Sequence, residues 1–560
     1  MNTNTLDESI QVLIAHKDEW AKLSIQRKQA YLRQIIDRQV AVAERQVAAA
    51  VEAKGIPQGS ALEGEEWAAG PYSAVRYPNL LLKTLDQIIT HGRPKTRNRT
   101  IRTRPGGQVV VKVFPFTMAD RLLYKGFRGE VWMHKDVTIE NLEEHKAGFY
   151  KQETPEGKVV LVLGAGNVAS IGFLDILTKL YVEGRVCLFK LNPVNEYLGP
   201  FVEEVLADLI HDGFVQVVYG GIDVGEYLCQ HADIDEIHMT GSHLTHDAIV
   251  YGVGEEGRKH KQNHQPRLNK RLTSELGNVS PIIVVPGPWS NADLEFHCAN
   301  IATQMINNCG FNCCAAKVLV LPREWPMTVV LMNKLRSILA AVPQRKAYYP
   351  GAKERYDKFV AANKTAEPIG TDQPGVLPWT IIHDVDPSDR TNICFTTESF
   401  CGIMAQTSLN GANADEFLHN AIEFCNNTLW GTLNACILIH PKIQGSLGAS
   451  FENALAELRY GSIGVNHWPV LSYVWGQTTW GAFPGHTSED IQSGTGVVHN
   501  AFLFDKPERS IIYGPFRIWP KPAWFVNCRQ AHKIFPKLLR MEAQPSVGKI
   551  LGIMRSAITG

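Results

Sequence analysis

From residue 6 to 53 the apolar positions recur at helical spacing. Trp20, Leu23, Ile25, Leu32, Ile35, Ile36 and Val40 share a face, an alanine-rich piece follows, and Gly55, Pro57 and Gly59 end the pattern. Between 107 and 153 the chain carries strand-like pieces such as QVVVKVFPF. A clear alternation then begins: strand KVVLVL, helix ASIGFLDILTKLYVEG, strand RVCLFKL, helix LGPFVEEVLADLIHDG, strand VQVVYG. It continues through GEYLCQHADIDEIHMTGS and HLTHDAIVYGVGEEG. The strands are apolar throughout rather than alternating, which predicts a parallel sheet covered on both faces. A second α/β region starts near RLTSELGNVSPIIVVP and runs to about residue 470. The expected fold class is α/β, without internal repeats.

At 560 residues the chain exceeds one compact core, and two or three domains are expected. Lys+Arg and Asp+Glu balance at 56 each, which argues against nucleic acid as a partner. The cysteines number eleven, an odd count, and the first residues lack the basic-then-apolar pattern of a secretion signal. A reducing, cytoplasmic compartment is the expectation. The longest apolar run, Val159 to Leu174, falls short of the ~20 residues of a membrane span and contains Asn167 and Ser170. From Lys506 onward ten Lys/Arg stand against two Glu, mixed with Trp519, Trp524, Phe525 and Phe535. This tail predicts either an amphipathic helix on an anionic membrane surface or an apolar groove or, as the favoured alternative, an intersubunit arm or a helix packed on the protein's own surface.

Two motifs suggest chemistry. VLVLGAGNVAS sets Gly164-x-Gly166 between a strand and a helix, the context of a dinucleotide turn. The next strand ends in Lys190-Leu191-Asn192, without the acidic group that would hold a ribose, so a plain tight turn stays open as the alternative. NNCGFNCCAAKVLVLP places Cys309, Cys313 and Cys314 together, as core filler or as a nucleophile. No paired CxxC or histidine set accompanies them, and no metal site is expected.

Asn167 after a strand, Lys190 ending the next, MTGS at 239–242, ELGN at 275–278, GFNCCA around Cys313 and TESF at 397–400 keep an order that resembles the aldehyde dehydrogenase superfamily. CNNTLWGTLNACILIHP and GSIGVNHW resemble its later segments, and the likeness covers roughly residues 10 to 500. The resemblance implies a Rossmann-type cofactor domain, an α/β catalytic domain and a small oligomerisation element. It implies Cys313 as nucleophile, Glu275 as general base and Asn167 in the oxyanion hole. Lys190 and Glu398 would hold ribose hydroxyls, Phe400 would lie beside the nicotinamide ribose, and Gly241 and Ser242 would receive the pyrophosphate. The implied cofactor is NAD or NADP, the substrate a small-molecule aldehyde, the assembly a homodimer or homotetramer. His467, Trp468 and Trp480 are candidates to line the pocket. The corresponding domain boundaries are 1–129 and 154–270 for cofactor binding, 130–153 and 485–515 for oligomerisation, 271–484 for catalysis and 516–560 for the tail.

Departures mark a divergent branch. Leu191 and Pro193 replace a proline and an acidic residue near Lys190, which leaves NADP open. His246, Asn278 and Phe311 replace two glycines and a glutamine, and Phe400-Cys401-Gly402 stands where the family reads Phe-Gly-Pro. Two other readings are a CoA-dependent acylating aldehyde dehydrogenase or acyl-CoA reductase, which Glu275 disfavours because a water-activating base would be idle there, and a non-catalytic binding protein or membrane-associated scaffold, which retention of Cys313, Glu275 and Asn167 disfavours.

Overall fold

The computed structural model describes residues 3–96, 100–371 and 373–558. The N-terminal amphipathic stretch forms two helices, Thr3–Lys22 and Ile25–Ala53, separated where Ser24 caps the second by accepting from the Arg27 N–H at 3.3 Å. Their apolar faces, with Ile10, Leu13, Trp20, Leu32 and Ile35, bury against the first of the two large sheets.

The strands in chain order are β1 (Ile101–Thr103), β2 (Val109–Phe114), β3 (Arg128–Met133), β4 (Val159–Leu163), β5 (Val186–Lys190), β6 (Val215–Val218), β7 (Glu236–Gly241) and β8 (Arg271–Leu276). They continue with β9 (Ser280–Val284), β10 (Ala316–Pro322), β11 (Ala366–Ile369), β12 (Trp379–Ile382), β13 (Ile403–Leu409), β14 (Asn434–Leu438) and β15 (Ser462–Val465). The first sheet runs β6-β5-β4-β7-β8 with every neighbour parallel, and the two-residue strand Gly494–Thr495 closes its β8 edge antiparallel. This is a doubly wound order whose direction reverses between β4 and β7, and the crevice for a ligand opens at such a reversal, beyond the carboxyl ends of the strands.

The second sheet has the order β1-β2-β3, then the strand Pro507–Tyr513, then β15-β14-β9-β10-β13-β12-β11. Its centre is parallel, as the continuous apolar runs predict. Its two ends are antiparallel, because hairpins as short as that between Thr103 and Val109 cannot make a parallel crossover. The strand Val109–Phe114, which the sequence reading grouped with the cofactor domain, lies in this larger sheet. So do the Arg128–Met133 and Pro507–Tyr513 strands, expected as parts of an oligomerisation element, which pair with each other antiparallel within the chain.

The tail helix Ala531–Ala543 packs on the helices Ile25–Ala53, Glu63–Trp67 and Ser73–His91, burying Ile534, Phe535, Leu538, Leu539 and Met541. Gly64 lets this helix approach: a Cβ there would stand 2.5 Å from the Ala531 Cβ. Arg76 ties the tail down. Buried itself, it donates to Glu542 at 2.9 Å, Asp120 at 2.9 Å, Gln477 at 3.1 Å and the Trp475 carbonyl at 3.0 Å. Over this helix the chain takes the packed alternative. The following helix, Val547–Ile558, buries Ile550 and Ile553 and turns Val547, Leu551, Met554 and Ile558 outward. Among the described residues no helix is long and apolar enough to cross a membrane.

Replacing Arg76 by Met strands the buried Asp120 carboxylate. We expect a loss of about 3–5 kcal/mol in urea denaturation and earlier proteolytic release of the tail, while Arg45→Met, at an exposed pair with Glu204, costs less than about 1 kcal/mol.

Candidate active site

Helix Asn291–Ile306 delivers the chain into a loop whose residues Asn308, Cys309 and Gly310 all have left-handed backbone, with φ of 52°, 58° and 76°. Only glycine adopts this without cost; Asn and Cys lose roughly 1–2 kcal/mol each. The loop is held there from two sides. Asn308 receives Tyr348 Oη at 2.9 Å and Lys54 Nζ at 3.3 Å on its side-chain oxygen, donates through Nδ2 to the Asn167 carbonyl at 3.0 Å, and donates its backbone N–H to Glu65 at 3.0 Å. On the other side the buried Lys317 ammonium bonds the carbonyls of Gly310, at 3.1 Å, and Cys401, at 3.0 Å. Gly310 lies so close to Cys401 that a Cβ would stand 2.6 Å from its backbone.

Cys313 follows that loop, half-buried in the wall of an apolar cavity. Cys314 is buried beside it against Leu433, Trp468 and Trp480, and its carbonyl accepts from the Trp468 indole at 2.9 Å. The Cys309 thiol turns away to the Lys346 carbonyl at 3.4 Å. Contact with the Cys314 thiol, then burial and the nearby Glu275 charge, hold the Cys313 thiol well above its ordinary pKa. Glu275, near the end of β8, accepts from the Trp480 indole at 3.0 Å. Burial pushes its carboxyl up to about 7, against the pull of hydrogen bonds from Trp480 and Cys313. Acid, thiol and indole therefore form one cluster.

Asn167 is buried in the turn after β4. Its side-chain NH2 donates to the Phe311 carbonyl at 2.9 Å, two residues before Cys313. Its own carbonyl takes three donors: Lys54 at 3.1 Å, Asn308 at 3.0 Å and Tyr348 at 3.0 Å. The helix-capping position before Ile171–Tyr181 belongs to Ser170, so Asn167 is not held there as a cap.

The glycine turn departs from a simple phosphate cradle. Cβ atoms at Gly164 and Gly166 would meet Phe189 at 2.8 Å and Asn192 at 2.7 Å, so the glycines are required by the protein's own packing. Lys190, at the end of β5, is buried and lowered in pKa by that burial. Gly241 ends β7, and Ser242 caps the nine-residue helix His243–Tyr251 by accepting from Thr245 at 3.1 Å, leaving an exposed helix N-terminus at the crevice. Glu398 is pushed up to about 8, by burial first, and its Oε1 is enclosed without a protein partner. A Cβ at Gly277 would stand 2.0 Å from Glu398, so that position must stay bare. An open helix N-terminus for a pyrophosphate, a lysine at a strand end and an unspent carboxylate acceptor fit a dinucleotide with ribose hydroxyls. Phe400, with φ 41°, packs on Phe311 and Tyr349 at ring distances of 5.9 and 5.0 Å, so the phenylalanine that stands for the resembled family's glutamine joins one aromatic cluster with Phe400.

Trp468 and Trp480 line the cavity as expected, whereas His467 does not. Its Nε2 faces the Pro515 carbonyl at 3.0 Å, and burial lowers it to about 4. Lys54, Tyr348 and Lys317 went unrecognised, because an isolated Lys or Tyr far from any motif carries no local signal. Asn308 could have been found beside the glycine of NNCGFNCC. At Asn278 the amide that stands for a glycine bonds Ser280 and Asn434, stitching β9 to β14.

A profile of the aldehyde dehydrogenase family matches residues 177–353, which contain Lys190, Gly241, Ser242, Glu275 and Cys313. Over those residues, about a third of the chain, the sequence is similar to the aldehyde dehydrogenase family. Among curated proteins it is similar to 4-trimethylaminobutyraldehyde dehydrogenase of Homo sapiens, at 27% identity over 143 residues, 25% of this chain and 26% of that protein. The Danio rerio form matches to the same 27% over 25% of each. These matches span about a quarter of the curated relatives' length. Among solved structures the fold is similar to NADP-dependent glyceraldehyde-3-phosphate dehydrogenase from Bacillus halodurans complexed with NADP, at TM-score 0.59 and 17% identity, covering 91% of both chains. It is likewise similar to NAD-dependent aldehyde dehydrogenase from Sinorhizobium meliloti, at TM-score 0.60 and 16% identity, covering 91% of this chain and 86% of that one.

The elevated thiol predicts slow alkylation of Cys313 by iodoacetamide at neutral pH, with a midpoint above the ordinary cysteine value. Glu275→Gln removes a charge that opposes the thiolate, so the midpoint moves down and alkylation at fixed pH becomes faster.

Proposed function

We propose that the protein is an NAD(P)-dependent aldehyde dehydrogenase that converts an aldehyde to a carboxylic acid through Cys313. The observation that carries this reading is the cluster at the nucleophile loop: the Cys313 thiol faces the cavity, bonds the Glu275 carboxyl with its pKa near neutrality, and follows by two residues the Phe311 carbonyl that takes the Asn167 amide. Cys313 loses its proton toward Glu275 and adds to the aldehyde carbon, giving a thiohemiacetal. As the carbonyl oxygen gains charge, the Asn167 NH2 swings from the Phe311 carbonyl to donate to it. Nicotinamide, when bound, supplies the hydride acceptor that leaves a thioester on Cys313. Lys190 and Glu398 would hold its ribose hydroxyls, and the helix beginning after Ser242 its pyrophosphate.

Glu275 gives the thiol proton up to solvent, then takes a proton from water; the resulting hydroxide attacks the thioester, the acid leaves, and Glu275 returns its proton to the departing Cys313 thiolate. A group that titrates near 7 is suited to both duties, since it accepts a proton at neutral pH and returns it easily. The three hydrogen bonds on the Asn167 carbonyl fix the turn from which the amide acts. NAD and NADP both remain candidate cofactors, because Pro193 supplies no carboxylate to repel a 2′-phosphate.

In a nicotinamide-reduction assay with aldehydes, NAD+ or NADP+, Cys313→Ala abolishes turnover. Asn167→Ala lowers kcat by 10²–10³-fold, about 3–4 kcal/mol of barrier. The wild-type rate climbs as pH rises through about 7, where Glu275 becomes the carboxylate, and Glu275→Gln flattens that limb. Turnover that appears only with CoA present would replace hydrolysis by acyl transfer to CoA and overturn the water-activating role of Glu275.

A further inference from the structure

The cavity that Cys313 opens into is roofed by the basic, aromatic tail. It passes from Cys313 and Trp480 between Val168 and Leu471 to Trp524, Ala531 and Phe535. Its polar lining groups gather at the end near the nucleophile loop, where Lys54 pairs with Glu66 at 2.8 Å and Glu65 holds the Asn308 N–H and Arg345. The tail residues that line it are, apart from backbone, apolar.

The tail is fixed over this cavity at three points. The Val526 N–H donates to Thr303 Oγ1 at 3.0 Å on the helix that leads to the nucleophile loop. Ala531 fits into the gap that Gly64 leaves. Glu542 is held by Arg76, and its carbonyl accepts from Asn79 at 2.9 Å. Trp524 is braced by Phe127 and Tyr124 at ring distances of 6.2 and 6.4 Å, and Phe535 by Tyr72 at 6.2 Å. A mobile arm would not carry that many constraints.

We propose that the segment Pro522–Phe535 is the distal wall of the substrate pocket, that the pocket accepts an aldehyde with an extended apolar chain, and that Trp524 and Phe535 set the chain length it admits. The aldehyde in this proposal rests on the dehydrogenase reading; the shape and chemistry of the pocket do not. Each methylene drawn from water into such a cavity raises affinity about fourfold until the wall is reached, after which further carbons bring nothing or clash.

Two measurements on the full chain separate the parts. Binding of uncharged straight-chain primary amides of about four to ten carbons is followed by calorimetry, and kcat/KM is measured for the matching aldehydes. The wild type should gain about fourfold per methylene up to a plateau. Trp524→Ala and Phe535→Ala should move that plateau to longer chains and raise the ratio of long-chain to short-chain kcat/KM. Leu551→Ser, outside the cavity on the following helix, should move neither. Phe535→Leu, which keeps the helix packed, covers the event that the alanine variant unfolds, and should give a smaller shift in the same direction. A length-dependent plateau that moves in the variants, with no aldehyde turned over, upholds the pocket and sinks the dehydrogenase reading. Affinity that ignores chain length, or a plateau that stays in place in both tail variants while turnover persists, overturns the proposal.

Discussion

One carbonyl oxygen holds the centre of this protein together. The backbone oxygen of Asn167 receives an ammonium from the N-terminal helices, an amide from the nucleophile loop and a phenol from the segment after the helix Thr328–Ala341. Each donor comes from a different part of the chain, and each is buried or partly buried, so none has water as an easy substitute. Loss of one leaves the others poorly placed, because Asn308 and Tyr348 also bond each other. The strained left-handed turn at Asn308 and Cys309 persists because this network leaves it no relaxed alternative. The cofactor sheet and the nucleophile loop are joined at that point, and the separation of thiol and amide follows from it.

The second constraint is electrostatic. Glu275, Glu398 and Cys313 are three acids in a poorly hydrated space, and their charges oppose one another. Lys317, buried and lowered in pKa mainly by that burial, is the nearest compensation, and it spends two hydrogen bonds on backbone carbonyls. The site therefore rests with protons to hand. Ionising one acid raises the cost of ionising the next, so the titrations belong to the cluster rather than to single residues.

Much of this was legible in the chain. The uniformly apolar strands KVVLVL and RVCLFKL announced a covered parallel sheet, and the order of motifs placed Cys313, Glu275 and Asn167 in one molecule before any geometry brought them to one loop. The glycine turn left a phosphate cradle and a plain tight turn both open in the sequence; in the fold its two glycines are required by Phe189 and Asn192, which a Cβ at either would meet. What could not be read were contacts between distant segments. Nothing around Lys54 distinguishes it from a solvated helix-end lysine, yet it is buried against Glu66. His467 follows a motif tied to the substrate, yet a backbone carbonyl turns its ring away. The antiparallel rims of the large sheet depend on loop lengths more than on residue pattern, and the tail's charge suggested a surface while its apolar face found the interior.

The cavity wall is assembled from residues near 60, 124, 170, 310, 470 and 530. No stretch of the chain encloses even half of it, so the pocket has no existence in a partly folded intermediate and appears only when pairings across hundreds of positions have closed. The same sparseness runs in reverse. Local opening of the tail helix, which belongs to neither sheet, would change the distal wall while leaving both large sheets paired.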